Sequence, residues 1–217
     1  MWQLVLKGQW LIFKAGWLIL PIILSSVFSL AIMIERFIYF SHIKLNVSAL
    51  LTQILAFVRK NRIREAIELC EQNPFYLTNI VKAGLFHYDQ PKEVVKEAME
   101  NASLYEIPKL EKNLNFLSTL AHICPLLGLL GTVVGLVKCF HVIEQKTISV
   151  GIVNPADLAG GIWEALLTTA AGLCVAIPSF IAYNYFVHRV NLYILAAERA
   201  STELLEVLGE RSYTSEI

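Results

Sequence analysis

Three apolar blocks, each long enough to cross a lipid bilayer, constrain the fold of this chain more than any other feature. They lie at residues 17–35, 113–138 and 162–188, called TM1, TM2 and TM3 below. A helix needs roughly 20 apolar residues to cross the hydrocarbon layer, where every backbone polar group must be paired internally. Charged residues make up only 17% of the chain, against about 25% in an average soluble domain. The sequence therefore predicts an all-α membrane protein with three transmembrane helices.

The largest segment outside these blocks, residues 36–112, is predicted to be a helical cytoplasmic domain. Asn73-Pro74 and Gln90-Pro91 separate stretches with helical patterns, because the residue before a proline disfavours the helical conformation. Residues 1–16 place Trp and Phe at helical spacing beside two lysines. This pattern is typical of a helix lying at the membrane interface.

The remaining segments flank TM3. Residues 139–161 are predicted to be a periplasmic connection, in which Asn154-Pro155 supplies an N-cap and a first helical residue. Residues 189–217 keep an amphipathic helical pattern and are predicted to be a cytoplasmic helix that extends TM3. We accordingly expect TM2 and TM3 to be long helices that continue into the cytoplasm.

The distribution of positive charge predicts the orientation. Of the 18 basic residues, 11 lie in Arg36–Lys112 and three in the tail from Arg189, with two in the N-terminal stretch and two in residues 138–161. The positive-inside rule then places the C-terminus in the cytoplasm and the N-terminus outside, in the periplasm if the chain resides in a bacterial inner membrane. No small-x-small cleavage site follows TM1, so we expect a retained anchor.

Several functional classes are disfavoured by composition. The net charge is zero, which argues against nucleic acid as a partner because phosphate binding needs a basic surface. The four cysteines form no CxxC pair, so we expect neither disulfides nor a metal site. The segment GLLGTVVG lacks the Lys-Ser/Thr ending of a phosphate loop. We expect no cofactor and no enzymatic activity.

Glu164 is the one acidic residue well inside an apolar block. If the helix begins at Pro155, Glu164 lies about 14 Å along its axis. An ionised carboxylate at that depth costs at least about 2.5 kcal/mol, and we expect no Lys or Arg within the blocks to offset it. Glu164 then either holds a proton or faces water or a polar group on another chain. The alternative is a structural glutamate beside Trp163, near the outer headgroups.

Hydroxyl groups accompany this carboxylate. Thr168 is four residues further on and is expected on the same helical face, whereas Thr169 is rotated away by about 140°. In TM2, Thr132 lies within the small-residue pattern of Gly128, Gly131 and Gly135, which favours close helix approach. Threonines in membrane helices commonly bond their own backbone carbonyls instead of lining a path. His122 is titratable, and a packing role and a relay role both remain open for it.

Two stretches resemble the MotA/TolQ/ExbB proton-channel family. They are EIPKLEKNLNFLSTLAHICPLLGLLGTVVGL and NPADLAGGIWEALLTTAAGLCVAIPSFIAYNYF, and LPIILSSVFSLAIMIERF is similar to the first span of that family. The resemblance covers about residues 17–206. The run NPADLAGGIWEALLTTAAGL with GTVVGL looks more like ExbB than TolQ, and three spans argue against the four-span MotA proteins.

The resemblance implies a fold, a mechanism and partners. It implies a homo-oligomer, a pentamer whose TM2 and TM3 line a pore around an ExbD-like single-span partner that carries a membrane aspartate, with a TonB-like protein as third component. Glu164, Thr132 and Thr169 match the family's glutamate and threonines on the proton route. The alternatives are a TolQ-like subunit of the Tol-Pal system, or a membrane scaffold that conducts nothing.

Overall fold

The computed structural model describes residues 17–43, 47–149 and 155–215, and within these ranges the chain is helical with no strand. The described residues form seven helices, which are α1 (Ile19–Ile43), α2 (Val47–Arg59), α3 (Ile63–Gln72), α4 (Tyr76–Leu85), α5 (Lys92–Glu111), α6 (Leu114–Ser149) and α7 (Pro155–Ser215). The predicted fold class is therefore confirmed. The predicted interfacial helix at residues 1–16 and the N-cap Asn154 lie outside the described residues.

Three helical segments are long and apolar enough to cross a membrane, as the sequence predicted. They are Ile19–Ser41, Lys92–Ile148 and Leu158–Gly209. Only 28–33% of the most apolar stretch of each segment is buried within the chain. Most of the apolar surface of the three spans is thus available to lipid or to other protein chains.

The helices are longer than the apolar blocks on which the prediction rested. Helix α1 continues through Glu35 and Arg36 to Ile43, and α6 continues past Lys138 to Ser149. Residues 139–149, expected in a connection, are therefore helical. Local side-chain bonds support this stretch, since Thr147 donates to the Ile143 carbonyl oxygen at 2.8 Å. Hydrophobicity locates a membrane crossing, but a helix ends where its backbone bonding ends.

The chain divides into two compact units. The first comprises the residues up to Glu35 together with Asn113–Asn184. In it, the hydroxyl groups of Ser29 and Ser179 lie 2.5 Å apart and are buried. The rings of Phe28 and Phe116 meet edge to face at 6.3 Å. A buried hydroxyl pair and an aromatic contact thus join TM1 to the other two spans.

The second unit comprises Arg36–Lys112 and the residues from Tyr185. Its core contains apolar side chains from α2 to α5 and from the end of α7 that are almost wholly buried, including Val58, Ile80, Leu85, Met99 and Leu204. Gly84 permits a close approach in this core, because a Cβ there would lie 2.6 Å from the sulfur of Met99. Residues 36–112 therefore have a packed core to which the C-terminal helix contributes.

Candidate functional site

Small residues form the contact between α6 and α7 in the first unit. A methyl group added at Gly135 would lie 2.8 Å from the Ala165 Cβ, and one added at Gly128 would lie 3.0 Å from the Thr169 Cα. The residue numbers that meet rise along α7 as they fall along α6, so the two helices are antiparallel. Absence of side chains on one helix lets the backbone of the other approach closely.

The opposing face of α7 has the same spacing of small residues as α6. A Cβ at Gly172 would lie 2.5 Å from the carbonyl oxygen of Cys124, and one at Gly161 would lie 3.0 Å from that of Gly135. The small-residue face of α6 was predicted from the sequence, whereas that of α7 was not. The available signal was the run Gly161, Ala165, Thr168, Gly172, whose four–three–four spacing repeats that of Cys124, Gly128, Gly131 and Gly135.

Glu164 pairs with Lys138 across this contact. The Lys138 ammonium donates a hydrogen bond to the Glu164 carboxylate, with Nζ 2.5 Å from Oε1. The Glu164 side chain is 17% exposed and that of Lys138 is 47% exposed. The expectation that no basic residue offsets Glu164 is therefore wrong. Lys138 was placed at the end of TM2, but the antiparallel arrangement brings that end beside Glu164, and the long lysine stem bridges the gap.

Thr168 lies one turn beyond Glu164, between the two helices. It is 1% exposed, and its hydroxyl donates within α7 toward the carbonyl oxygens of Ala165 at 2.9 Å and Glu164 at 3.1 Å. Its side chain fills the space left by Gly131, because a Cβ added there would overlap the Thr168 side chain. In this chain Thr168 therefore packs α7 onto α6, one helical turn from Glu164.

Thr169 and Thr132 differ in the direction of their hydroxyl groups. Thr169 donates across the helix contact to the Gly128 carbonyl oxygen at 2.9 Å. Thr132 donates to the Leu129 carbonyl oxygen of its own helix at 2.6 Å. Among the hydrogen bonds of the described residues, none joins Thr132 to Glu164, Thr168 or Thr169. Glu164, Thr168 and Thr169 thus share the α6–α7 contact, and Thr132 stands beside it.

His122 contacts other residues, Ser118 on its own helix and Phe180 on α7. One of its ring nitrogens lies 2.7 Å from the Ser118 carbonyl oxygen, and the ring meets Phe180 edge to face at 5.7 Å. Both contacts fit the packing role. Among the described residues, no three His, Cys, Asp or Glu side chains converge as a metal site would require.

Chemically, the site combines a lysine–glutamate ion pair with two hydroxyl groups at a glycine-lined helix contact. The carboxylate can take up a proton, the Thr168 hydroxyl is bonded within α7, and the Thr169 hydroxyl joins the two helices. The pair brings opposite charges together, and an ion pair with one partly exposed member costs less than a lone buried charge.

Comparisons with known proteins agree on one family. Residues 72–199 match the model of the MotA/TolQ/ExbB proton channel family. The biopolymer transport protein ExbB-like 3 of Synechocystis sp. is 30% identical over 171 residues, covering 79% of this chain and 80% of that protein.

Two shorter matches carry the names ExbB and TolQ. The biopolymer transport protein ExbB of Aquifex aeolicus is 44% identical over 87 residues, which cover 40% of this chain and 56% of that protein. The Tol-Pal system protein TolQ of Pseudomonas aeruginosa is 37% identical over 131 residues, which cover 59% of this chain and 54% of that protein. The family match includes Glu164, Lys138 and both small-residue faces, and the chain belongs to the MotA/TolQ/ExbB proton channel family.

Proposed function

We propose that this chain is an ExbB-like channel subunit that uses the proton motive force to energise TonB-dependent transport across the outer membrane. The observation that carries the proposal is the position of Glu164, a carboxylate inside a membrane-spanning helix, at the contact with a second spanning helix. Ionisable groups at such positions mark ion and proton pathways in membrane proteins. Membership of a proton channel family supports the same chemistry.

The conducting unit is an assembly of several chains. Three helices that bury about 30% of their most apolar stretches cannot enclose a polar path, because any water beside Glu164 would meet lipid on the open side. Other copies of the chain close that side, and a homo-pentamer is the arrangement that the family resemblance implies. A single-span, ExbD-like partner with a membrane aspartate would supply the principal proton carrier, and a TonB-like protein would transmit the movement.

The proposed location is the bacterial inner membrane, with the N-terminus in the periplasm and the C-terminus in the cytoplasm. This orientation rests on the excess of Lys and Arg in residues 36–112 and in the tail. Each charge that crosses is worth about 2.3 kcal/mol per 100 mV of membrane potential. Several protons per working cycle would therefore supply the free energy for a mechanical step.

A TolQ-like role in the Tol-Pal system is the second candidate, and the similarity to Tol-Pal system protein TolQ favours it. Deletion of the gene separates the two. An ExbB-like subunit predicts loss of energised uptake through outer-membrane receptors with an intact envelope. A TolQ-like subunit predicts detergent sensitivity and defective constriction with normal uptake.

The proposal is tested by Glu164→Gln in the native host. This variant keeps the shape of the side chain but cannot carry a proton, so energised uptake should be lost while the complex still assembles. Glu203→Gln, on the exposed part of the same helix, is the matched control and should retain uptake. Normal uptake in Glu164→Gln with a correctly assembled complex would favour the scaffold that conducts nothing.

A further inference from the structure

The Lys138–Glu164 pair places a tethered cation on the carboxylate of the candidate path. Lys138 extends from α6 and is 47% exposed, whereas Glu164 on α7 is 17% exposed. The ammonium of the more exposed residue, Lys138, thus reaches the carboxylate of the less exposed residue, Glu164. Among the described residues, Lys138 is the only ion-pair partner of Glu164.

A carboxylate without this partner would attract other cations. Hard metal cations prefer oxygen ligands, and carboxylates and carbonyl groups are the ones that proteins offer. The cell and its surroundings contain sodium at concentrations far above that of free protons. If no ammonium occupied the Glu164 carboxylate, sodium would therefore compete with protons for it.

We propose that Lys138 determines the ion specificity of the path by occupying the Glu164 carboxylate, so that protons are admitted and sodium is excluded. This inference rests on the proposed conducting function. A proton binds covalently to one carboxylate oxygen, and the neutral acid no longer holds the ammonium. When the proton leaves, the carboxylate charge returns and the ion pair re-forms. The pair gains one positive charge when the proton binds and loses that charge when the proton leaves.

Sodium cannot follow the same sequence. It would leave the carboxylate charged and would have to lie beside the ammonium, where like charges repel. Lys138 is also attached to the neighbouring helix, so its effective concentration at the carboxylate exceeds that of a dissolved ion. The lysine stem is flexible, which lets the ammonium withdraw toward water when Glu164 is protonated.

A binding measurement on the full chain, purified with its single-span partner, tests the exclusion without requiring conduction. Thermal unfolding is compared in sodium chloride and in choline chloride at equal ionic strength. Lys138→Met should unfold at a higher temperature in sodium than in choline, because sodium then binds the freed carboxylate. The wild type, Lys138→Arg and the double variant Lys138→Met/Glu164→Gln should show no difference between the two salts.

The same proteins in liposomes give the transport readout. The sodium permeability of Lys138→Met, relative to its proton permeability, should rise by about tenfold or more, and Lys138→Arg should match the wild type. Lys138→Gln serves as a second variant if Lys138→Met assembles poorly. The inference is overturned if both neutral variants show no sodium effect on unfolding and an unchanged permeability ratio. A wild type that passes no protons would instead contradict the proposed function, while the sodium effect on unfolding would still decide the role of Lys138.

Discussion

The hydroxyl group of Thr169 on α7 donates a 2.9 Å hydrogen bond to the carbonyl oxygen of Gly128 on α6. The bond depends on the missing side chain of Gly128, since a Cβ there would lie 3.0 Å from the Thr169 Cα. A threonine that the family resemblance assigns to the proton route is therefore also part of the helix contact. Its oxygen retains lone pairs that can accept a hydrogen bond from water.

Replacing Thr169 by Val should destabilise the α6–α7 contact by about 0.5–1.5 kcal/mol, because the Gly128 carbonyl oxygen loses an interhelical partner. Thr169→Ser keeps the hydroxyl group and should lose less. The free energy of unfolding in detergent measures both. Equal stability of wild type, Val and Ser variants would show that this bond contributes nothing to the contact.

Gly135→Ala should destabilise the first unit by about 1–3 kcal/mol, the usual cost of forcing an added methyl group into a packed core. That methyl would lie 2.8 Å from both the Ala165 Cβ and the Gly161 carbonyl oxygen. Gly160→Ala is the matched control, because a Cβ there has no neighbour within 4 Å and alanine is the better helix former. Thermal unfolding should separate the two variants, and equal unfolding temperatures would contradict the close contact at Gly135.

Arg36→Met should cost the second unit about 2–4 kcal/mol. The Arg36 side chain is 1% exposed and donates to the carbonyl oxygens of Lys109 and Leu110 at 3.3 and 3.2 Å. These carbonyl groups end α5, where a positive charge is favourable. Arg64→Met, on the exposed face of α3, should unfold as the wild type does. Chemical denaturation monitored by circular dichroism provides the comparison.

The thiol of Cys70 should resist alkylation in the folded protein. Burial raises its pKa to about 11 from an ordinary value of 9.0, with a smaller opposing effect of Lys82. Between pH 9 and about pH 11 the Cys70 thiol keeps its proton in the folded chain and releases it in the unfolded chain. The contribution of this thiol to the free energy of unfolding is therefore intact below pH 9 and falls as the pH rises to about 11. Iodoacetamide labelling at pH 8, read by peptide mass spectrometry, should be slow at Cys70 without denaturant and fast with it. Rapid labelling of the native protein would contradict the buried position.

Sequence patterns were sufficient for the fold because the bilayer imposes few solutions. Uninterrupted apolar stretches predicted three spans, and Asn73-Pro74 and Gln90-Pro91 predicted the breaks between the helices on either side of α4. The helix start at Pro155 also agrees with the structure. The length of α6 beyond Lys138 was not predicted, because that segment is polar enough to resemble a connection.

The candidate site was only partly predictable for a geometric reason. Glu164 and Thr168 share one helix, so their common face follows from the helical period alone. The pairing of Glu164 with Lys138 and of Thr169 with Gly128 depends on the register between two antiparallel helices. That register is set by the facing glycines of α6 and α7, and single-helix periodicity contains no information about it.

Proton flux through the purified complex is the most direct test of whether Glu164 carries protons. The chain and its single-span partner are placed in liposomes that contain a pH-sensitive dye, and a potassium gradient with valinomycin imposes an inside-negative potential. The account predicts acidification of the lumen by the wild type and by Glu203→Gln, and none by Glu164→Gln. Equal acidification by Glu164→Gln and by the wild type would contradict the assignment of Glu164 to the proton path.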